Sequence, residues 1–433
     1  MAGGKGTRMR SARTKVLHPV CGRPILGWVL EAARQAGASP LIVVTPPEAE
    51  EVRALLGADA IPVVQPEARG TGHAVQCGLA ALPAAFDGDV LVVSGDTPLI
   101  RSEVLREIVD THRAEHAAAT LLSVLVPGPN AYGRVMRDAT GAVARVVEVR
   151  DATPDELATT EINAGFYAFD AAGLRAALDR VTPDNDQGEL YLPDVLPLLR
   201  ADGTVVACLT DDDVSTVGVN TRVDLAEAAR LLQLRLLEEH MLRGAGIVDP
   251  ATTYVEHGVA LEPDCVIHPF SVLRGTTRVE TGAEVGPHAV LHDAVVGAGA
   301  TAGPFVYLRP GAELRSGSKA GTYVEIKNAV LGEAAKVPHL SYIGDADIGE
   351  GTNIGAGTIT ANYDGRRKHR TTIGARVRSS SDVVFVAPVT VGDDAVTGAG
   401  SIITKDVPPG ALGIARARQT NIEDYAARRR DDD

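Results

Sequence analysis

Between Val255 and Leu291 an aliphatic residue stands at every sixth position: Val255, Leu261, Ile267, Leu273, Val279, Val285 and Leu291. After a one-residue slip the phase resumes at Val296, Ala302, Leu308, Leu314 and Ala320, returns at Ile348, Ile354 and Thr360, and runs again from Ile373 to Ile403. This period fits neither the roughly 3.6-residue turn of a helix nor the two-residue alternation of a half-buried strand. It predicts a left-handed parallel β-helix of hexapeptide repeats, in which one aliphatic per hexapeptide points inward and small residues turn each corner. Three such strands close one triangular coil.

The first half is patterned differently. From Leu41 to about Asn220, apolar runs such as LIVV and DVLVVSGD alternate with helical stretches such as SEVLREIVDTHRAEH. Strands alternating with helices predict an α/β doubly wound, Rossmann-like sheet, mostly parallel, whose ligands bind beyond the carboxyl ends of the strands. Thr221 followed three residues later by Asp224 reads as a capping box that opens one helix ending near Gly244. The expected division is a catalytic domain over 1–220, a linker helix over 221–247 and the coil with its tail over 248–433. The closing RRRDDD is too charged to pack and is expected to be disordered.

Composition narrows the function classes. A chain of 433 residues supports two or three cores, and an aromatic content of 4 % suits a coil filled with Val, Ile, Leu and Ala. The formal charge of −14 repels nucleic acid and anionic membranes, so an anionic substrate has to be met by local positive charge. Cys21, Cys77, Cys208 and Cys265 form no CxxC pair, which points away from zinc and disulfides and towards a reducing cytoplasm. The sequence shows no signal peptide and no apolar run near the ~18 residues of a membrane span.

The opening MAGGKGTRM places Gly3, Gly4 and Gly6 where backbone amides approach a phosphate, with Lys5 and Arg8 supplying charge. It is neither a Walker loop nor a dinucleotide fingerprint. KVLHPVCGRPIL follows with Lys15, and SGDTPLI sets Asp96 at the carboxyl end of a strand. Together these motifs resemble the sugar-phosphate nucleotidyltransferases. QPEARGTGHA, AYGRV, VEVRDAT, EINAG and GVN then occur in the order seen in the bacterial bifunctional N-acetylglucosamine-1-phosphate uridyltransferase/glucosamine-1-phosphate acetyltransferases, and the coil lies where that family carries its acetyltransferase domain.

The resemblance covers almost the whole chain and implies roles for particular residues. Met1, Ala2, Gly3 and Gly4 belong to the nucleotide loop, Gln65, Gly70 and Thr71 face the uracil, and Gly133, Glu148 and Asn163 hold N-acetylglucosamine. Asp96 and Asn220 hold Mg²⁺, a hard cation that takes few protein oxygens. Lys15 and Arg8 offset charge as a sugar 1-phosphate oxygen attacks the α-phosphorus of UTP in line and pyrophosphate leaves.

In the coil the polar residues become specific where the six-residue phase breaks, and breaks in a solenoid are where loops leave it. Attack of a glucosamine amine on an acetyl-CoA thioester needs a base near neutral pH, which suits His. The resemblance implies His339 for that base and Arg309, Lys327, Tyr342, Asn353 and Lys368 for the sugar phosphate. It implies Ala356, Asn362, Tyr363, Ser381, Ala399 and Arg416 for acetyl-CoA, several of them through backbone atoms of a neighbouring subunit in a homotrimer. SSSD at Ser379–Asp382, where the family has VGSD, and RARQTNIEDY after Ala415 depart from the family pattern and bear on the coenzyme contacts.

A second class shares this domain order: nucleotidyltransferases or exchange-factor-like scaffolds whose coil is only structural or regulatory. Asp96, Asn220, Lys327 and His339 argue for the enzyme, because a scaffold needs neither metal ligands nor a base. The family also carries a buried aliphatic strand ahead of its glycine loop, which is missing before Met1. The expectation is that the native chain starts further upstream and that an open slot marks the strand's place.

Overall fold

A computed structural model describes every residue except Gly4, Lys5, Asp59, Pro129, Asp186 and 431–433, so expectations for Gly4 and Lys5 lie outside the described residues. The chain divides into two compact units, Met1–Leu232 and Gln233–Asp433. The helix Arg222–Leu242 spans the division, with Thr221 accepting from the Asp224 amide at 3.1 Å while the Asp224 carboxylate accepts from the Thr221 amide at 2.8 Å. Both halves of the capping box are therefore made.

The first unit is an α/β layer. Its six-stranded sheet pairs Val205–Thr210 with Ala119–Leu125 in parallel, and Glu161–Asp170 runs antiparallel to both Ala119–Leu125 and Asp89–Val92. Leu41–Thr45 and Ala60–Val64 form a separate parallel pair. The helix Ser102–Ala114 buries Val104, Leu105 and Ile108 at i, i+1 and i+4, the stripe expected of a helix with one face on a sheet. Between Leu41–Thr45 and Asp89–Val92 lies a cavity of about 470 Å³ with a largely apolar lining that includes Val29, Val43, Val90 and Leu91. Met1 and Ala2 cross one end of it: the Ala2 amide donates to Val44 O at 2.8 Å, and the Met1 amino group donates to Val93 O at 2.8 Å.

The second unit is a left-handed parallel β-helix. Its short strands stack in three faces, and every described pairing between consecutive coils is parallel and in register. The first face runs from Gly246–Ile247 to Lys336–His339, the second from Tyr254–Val255 to Ile402–Ile403, and the third from Ala260–Leu261 to Val389–Val391. The inward residues are those of the six-residue phase: Val255, Ile267, Leu273, Val279, Val285, Leu291, Val296, Ala302, Leu308, Leu314 and Ala320 are all 0 % exposed. Each buried Val or Leu contributes about 1.5–3 kcal/mol, and the parallel backbone hydrogen bonds hold the coils together without any large aromatic core. The slip after Leu291 is one residue fewer in the corner at Asp293–Ala294, which leaves Val296 in register with Val279. At the C-terminus Tyr425–Arg430 is helical, against the expectation of disorder for the arginines of the tail. Among the described residues no helix is long and apolar enough to cross a membrane.

Candidate active sites

In the first unit, the Lys15 ammonium donates to Asp96 Oδ2 at 2.5 Å and to Asn220 Oδ1 at 3.2 Å, and the Arg8 guanidinium donates to the same Asn220 oxygen at 3.0 Å. Four side chains from the loop, the following short helix, a strand end and the segment before the capping box meet here. Backbone geometry fixes them: the Val219 amide donates to Asp96 O at 2.8 Å, Ser94 Oγ donates to Asp96 Oδ1 at 2.8 Å, and the Asn220 amide donates to Asp224 at 2.9 Å. Ser94 and Asp224 were not among the residues assigned to the site from sequence. Ser94 was visible in SGD, and Asp224 was legible only as a helix cap. Asp96 and Asn220 present two hard oxygens to one point already favourable to a cation, which fits a small divalent metal that fills its shell with phosphate and water. Among the described residues no cluster of three His, Cys, Asp or Glu could hold a metal, so any ion here depends on ligand oxygens.

The residues expected to face the nucleotide also converge. Gly3 lies against Gln65 Oε1, and Gln65 Nε2 donates to Gly70 O at 3.1 Å. Gly70 has φ +100°, and a β-carbon there would meet Leu190 O at 2.5 Å, so only glycine fits. Thr71 begins the helix Thr71–Leu79, with its hydroxyl accepting from the Leu192 amide at 2.9 Å. On the far side the Asn163 amide donates to Gly133 O at 2.8 Å, and Gly133 packs on the Glu148 carboxyl. Burial, reinforced by Asp151 and Asp194, holds the Glu148 carboxyl above the usual carboxylate range.

In the coil, Arg309, Lys327 and Tyr342 stand on the second face in successive coils, where Glu325 is in register with Tyr342 and with Tyr307. Arg309 pairs with Glu325 at 2.7 Å. The segment Asn362–Arg370 leaves the coil and folds back on itself, with the His369 amide donating to Asn362 O at 2.8 Å and Tyr363 bridging Lys368 antiparallel. This loop returns Lys368 to Lys327, and the second ammonium pulls the Lys327 amine below the usual lysine range. A β-carbon on Gly344 would meet Tyr342 Oη at 2.5 Å and Asn362 Nδ2 at 2.7 Å, so the two polar side chains close over that glycine. Asn362 Nδ2 donates to Asp345, whose other oxygen accepts from Asn328 Nδ2 at 2.6 Å. Asp345 and Asn328 anchor the loop and were not among the residues assigned to the site from sequence.

His339 is exposed at the end of the first face, at its corner with the second. The same corner carries Ala356, Ser381 and Ala399 on later coils: the Asp382 amide donates to Ala356 O at 2.8 Å and the Gly400 amide to Ser381 O at 2.9 Å. Arg416 follows one coil on, its Cδ near Gly400. Ala356, Ser381, Ala399 and Arg416 therefore line one edge, whereas Asn362 and Tyr363, also expected to contact acetyl-CoA, belong to the loop. Asn353, by contrast, lies on the first face, bridged to Lys336 and Arg378, whereas the rest of the expected sugar-phosphate set belongs to the second face and its loop.

Residues 1–151 match the family model of the MobA-like NTP transferase domain. Bifunctional protein GlmU of Streptomyces avermitilis is 50 % identical, with the alignment covering 99 % of this chain and 94 % of that protein. The chain belongs to the GlmU family. Similar to it as well are the GlmU proteins of Mycolicibacterium vanbaalenii, 48 % identical, and Mycobacterium tuberculosis, 46 % identical, each covering 99 % of this chain and 92 % of the relative. GlmU membership accounts for a nucleotidyltransferase unit followed by a β-helix, and it makes the chain a bifunctional transferase acting on nucleotide and small-molecule substrates.

Proposed function

We propose that each unit carries one of two consecutive reactions and that the residues above divide between them. The chain acetylates glucosamine 1-phosphate with acetyl-CoA and then transfers UMP from UTP to N-acetylglucosamine 1-phosphate, giving UDP-N-acetylglucosamine and pyrophosphate. The observation that carries the reading is the pairing of Lys327 with Lys368 beside Arg309. Like charges held together repel one another, and a sugar phosphate entering between them would offset that repulsion in a chain whose net charge is −14.

In the first unit Gly3, Gln65, Gly70 and Thr71 bind the uridine, and Gly133, Glu148 and Asn163 bind the sugar. Lys15 and Arg8 move from Asp96 and Asn220 to the triphosphate as it enters, and Asp96 and Asn220 hold Mg²⁺. The metal neutralises charge on the triphosphate when bound. In the coil His339 takes the proton from the attacking amine, Arg309, Lys327, Tyr342, Asn353 and Lys368 hold the phosphosugar, and Asn362 and Tyr363 orient the acetyl group. The split of Asn353 from its companions supports a homotrimer in which two chains complete each acetyltransferase site. Acetyl-CoA and UTP are intracellular metabolites, which assigns both reactions to the cytoplasm.

A coupled assay on the purified chain tests the reading: free thiol from acetyl-CoA with glucosamine 1-phosphate, and pyrophosphate from UTP and Mg²⁺ with N-acetylglucosamine 1-phosphate. Both products are expected. Absence of thiol release would reduce the coil to a scaffold, and absence of pyrophosphate would reject the uridyltransferase assignment.

A further inference from the structure

The loop that leaves the coil at Asn362 ends in a rigid, positively charged tip. Tyr363 bridges Lys368 across it, the His369 amide donates to Asn362 O at 2.8 Å, and the Asp364 amide donates to Arg367 O at 3.1 Å. The Asp364 carboxylate fixes the turn, Oδ1 accepting from the Arg366 and Arg367 amides at 2.8 and 2.7 Å and Oδ2 from His369 Nε2 at 2.7 Å. The bond from the Arg367 amide, followed by those from His369 and the Arg366 amide, holds the Asp364 carboxyl down at about 2. The one acid of the segment Asn362–Arg370 is thus committed to the turn itself. The Arg366 and Arg367 side chains are exposed and, among the described residues, their guanidiniums have no partner. This is not for want of carboxylates, since Asp and Glu outnumber Lys and Arg by 56 to 42. Elsewhere on the coil Arg278 pairs with Glu262 at 3.4 Å, Arg315 with Glu313 at 3.1 Å and Arg376 with Asp394 at 2.8 Å, while Arg370, at the foot of the loop, pairs with Asp347. Two adjacent guanidiniums carried on a fixed turn and left without counter-charge suit a phosphate, which a planar fork of N–H donors grips better than an ammonium does.

We propose that Arg366 and Arg367 bind the phosphates of acetyl-CoA, so that the loop which orients the acetyl group at its base also holds the nucleotide end of the donor at its tip. The proposal rests on the acetyltransferase reading above. Glucosamine 1-phosphate brings a single phosphate, and Arg309, Lys327 and Lys368 already answer it. Acetyl-CoA brings a diphosphate and a ribose 3′-phosphate, all separated from the thioester by the uncharged pantetheine arm. Cations that meet them therefore belong at a distance from the groups that hold the acetyl end. Arg366 and Arg367 stand three and four residues beyond Tyr363, at the far end of the hairpin that Asn362 and Tyr363 begin. The acidic chain repels a donor of such charge as a whole, which gives two exposed arginines at the mouth of the site a part in capturing it.

Acetyl transfer by the full chain, measured with three donors, tests the assignment: acetyl-CoA, acetyl-dephospho-CoA, which lacks the 3′-phosphate, and S-acetylpantetheine, which carries no phosphate. Arg366 and Arg367 bond to Asp364 through their amides alone and neither has a positive φ, so Arg366→Ala combined with Arg367→Ala leaves the turn intact. In that double variant KM for acetyl-CoA should rise about 2- to 30-fold, the loss expected for two exposed charge pairs. KM for S-acetylpantetheine and for glucosamine 1-phosphate should stay where they were. Acetyl-dephospho-CoA separates the two sources of phosphate. If its KM rises in the double variant as that of acetyl-CoA does, the arginines hold the diphosphate; if it does not, they hold the 3′-phosphate. An unchanged KM for acetyl-CoA would overturn the proposal. So would an equal rise for all three donors, which makes the loop's shape rather than its charge the cause, or a rise confined to glucosamine 1-phosphate. An unmodified chain that releases thiol from none of the donors would instead overturn the acetyltransferase reading, and the proposal with it.

Discussion

Asp345→Asn isolates the loop anchor of the acetyltransferase site. The Asp345 carboxylate is buried, 7 % exposed, and its two oxygens accept from the Asn328 and Asn362 carboxamides. Asp345 also has φ +47°, a conformation that Asn tolerates nearly as well as Asp, so the substitution leaves the backbone alone. A carboxamide offers one oxygen where the carboxylate offered two, so one of the two donors is left facing another NH₂ group. Losing a hydrogen bond to a charged group costs about 1.5–3 kcal/mol, a factor of roughly 10 to 150 if it all falls on the placement of Asn362. Asn362 closes over Gly344 with Tyr342 and starts the loop that returns Lys368 to Lys327, so the loss should reach the phosphosugar. The assay is thiol release from acetyl-CoA at varied glucosamine 1-phosphate, with a thermal melt beside it. KM for the sugar phosphate should rise and kcat fall, uridyl transfer should be unchanged, and the melt should drop modestly. Unaltered KM and kcat would show that the Asp345 network is only structural and that the loop is held by other contacts.

Lys327 loses its proton at lower pH than an ordinary lysine because Lys368 adjoins it, so phosphosugar binding should weaken as pH rises through that lowered value; Lys368→Ala should move the alkaline limb of the KM profile to higher pH while raising KM throughout. Gly70→Ala forces a β-carbon against Leu190 O in a region open essentially to glycine, at a cost of about 1–3 kcal/mol; uridyl transfer should fall through a raised KM for UTP, with acetyl transfer intact, and an unchanged KM would remove Gly70 from the uridine site. Fusing a five-residue apolar strand ahead of Met1 should fill the cavity between Leu41–Thr45 and Asp89–Val92 and raise the melting temperature of the first unit; no rise would show that the cavity accepts no strand in that register.

The coil was the most legible part of the chain because its interior admits one inward residue per strand, so burial writes a period of six directly into the sequence. Val255 to Leu291 shows this most plainly. The first unit was legible as alternating elements, but the antiparallel run of Glu161–Asp170 was not, because a buried strand reads the same in either direction. Asp96 and Asn220 were found through motifs, whereas Ser94 and Asp224, which orient them, act through hydrogen bonds that any short polar residue in a turn makes. Asp345 and Asn328 were hidden for a related reason: Asp and Asn are common in left-handed corners, and their joint hold on Asn362 exists only after successive coils stack them. The stacking of four rings along one corner of the coil was hidden by spacing. Phe270, His288, Phe305 and Tyr323 lie 17 or 18 residues apart and become neighbours only when each coil closes.

The central claim is that two chemistries sit in two units and fail independently. The most direct test measures both activities on His339→Ala and on Asp96→Ala. His339→Ala should lose acetyl transfer by roughly 10² to 10⁴ and keep uridyl transfer, as expected for a positioned base. Asp96→Ala should do the reverse, because the triphosphate loses the carboxylate that holds its metal. Both activities falling together in either variant, or acetyl transfer surviving His339→Ala, would contradict the account.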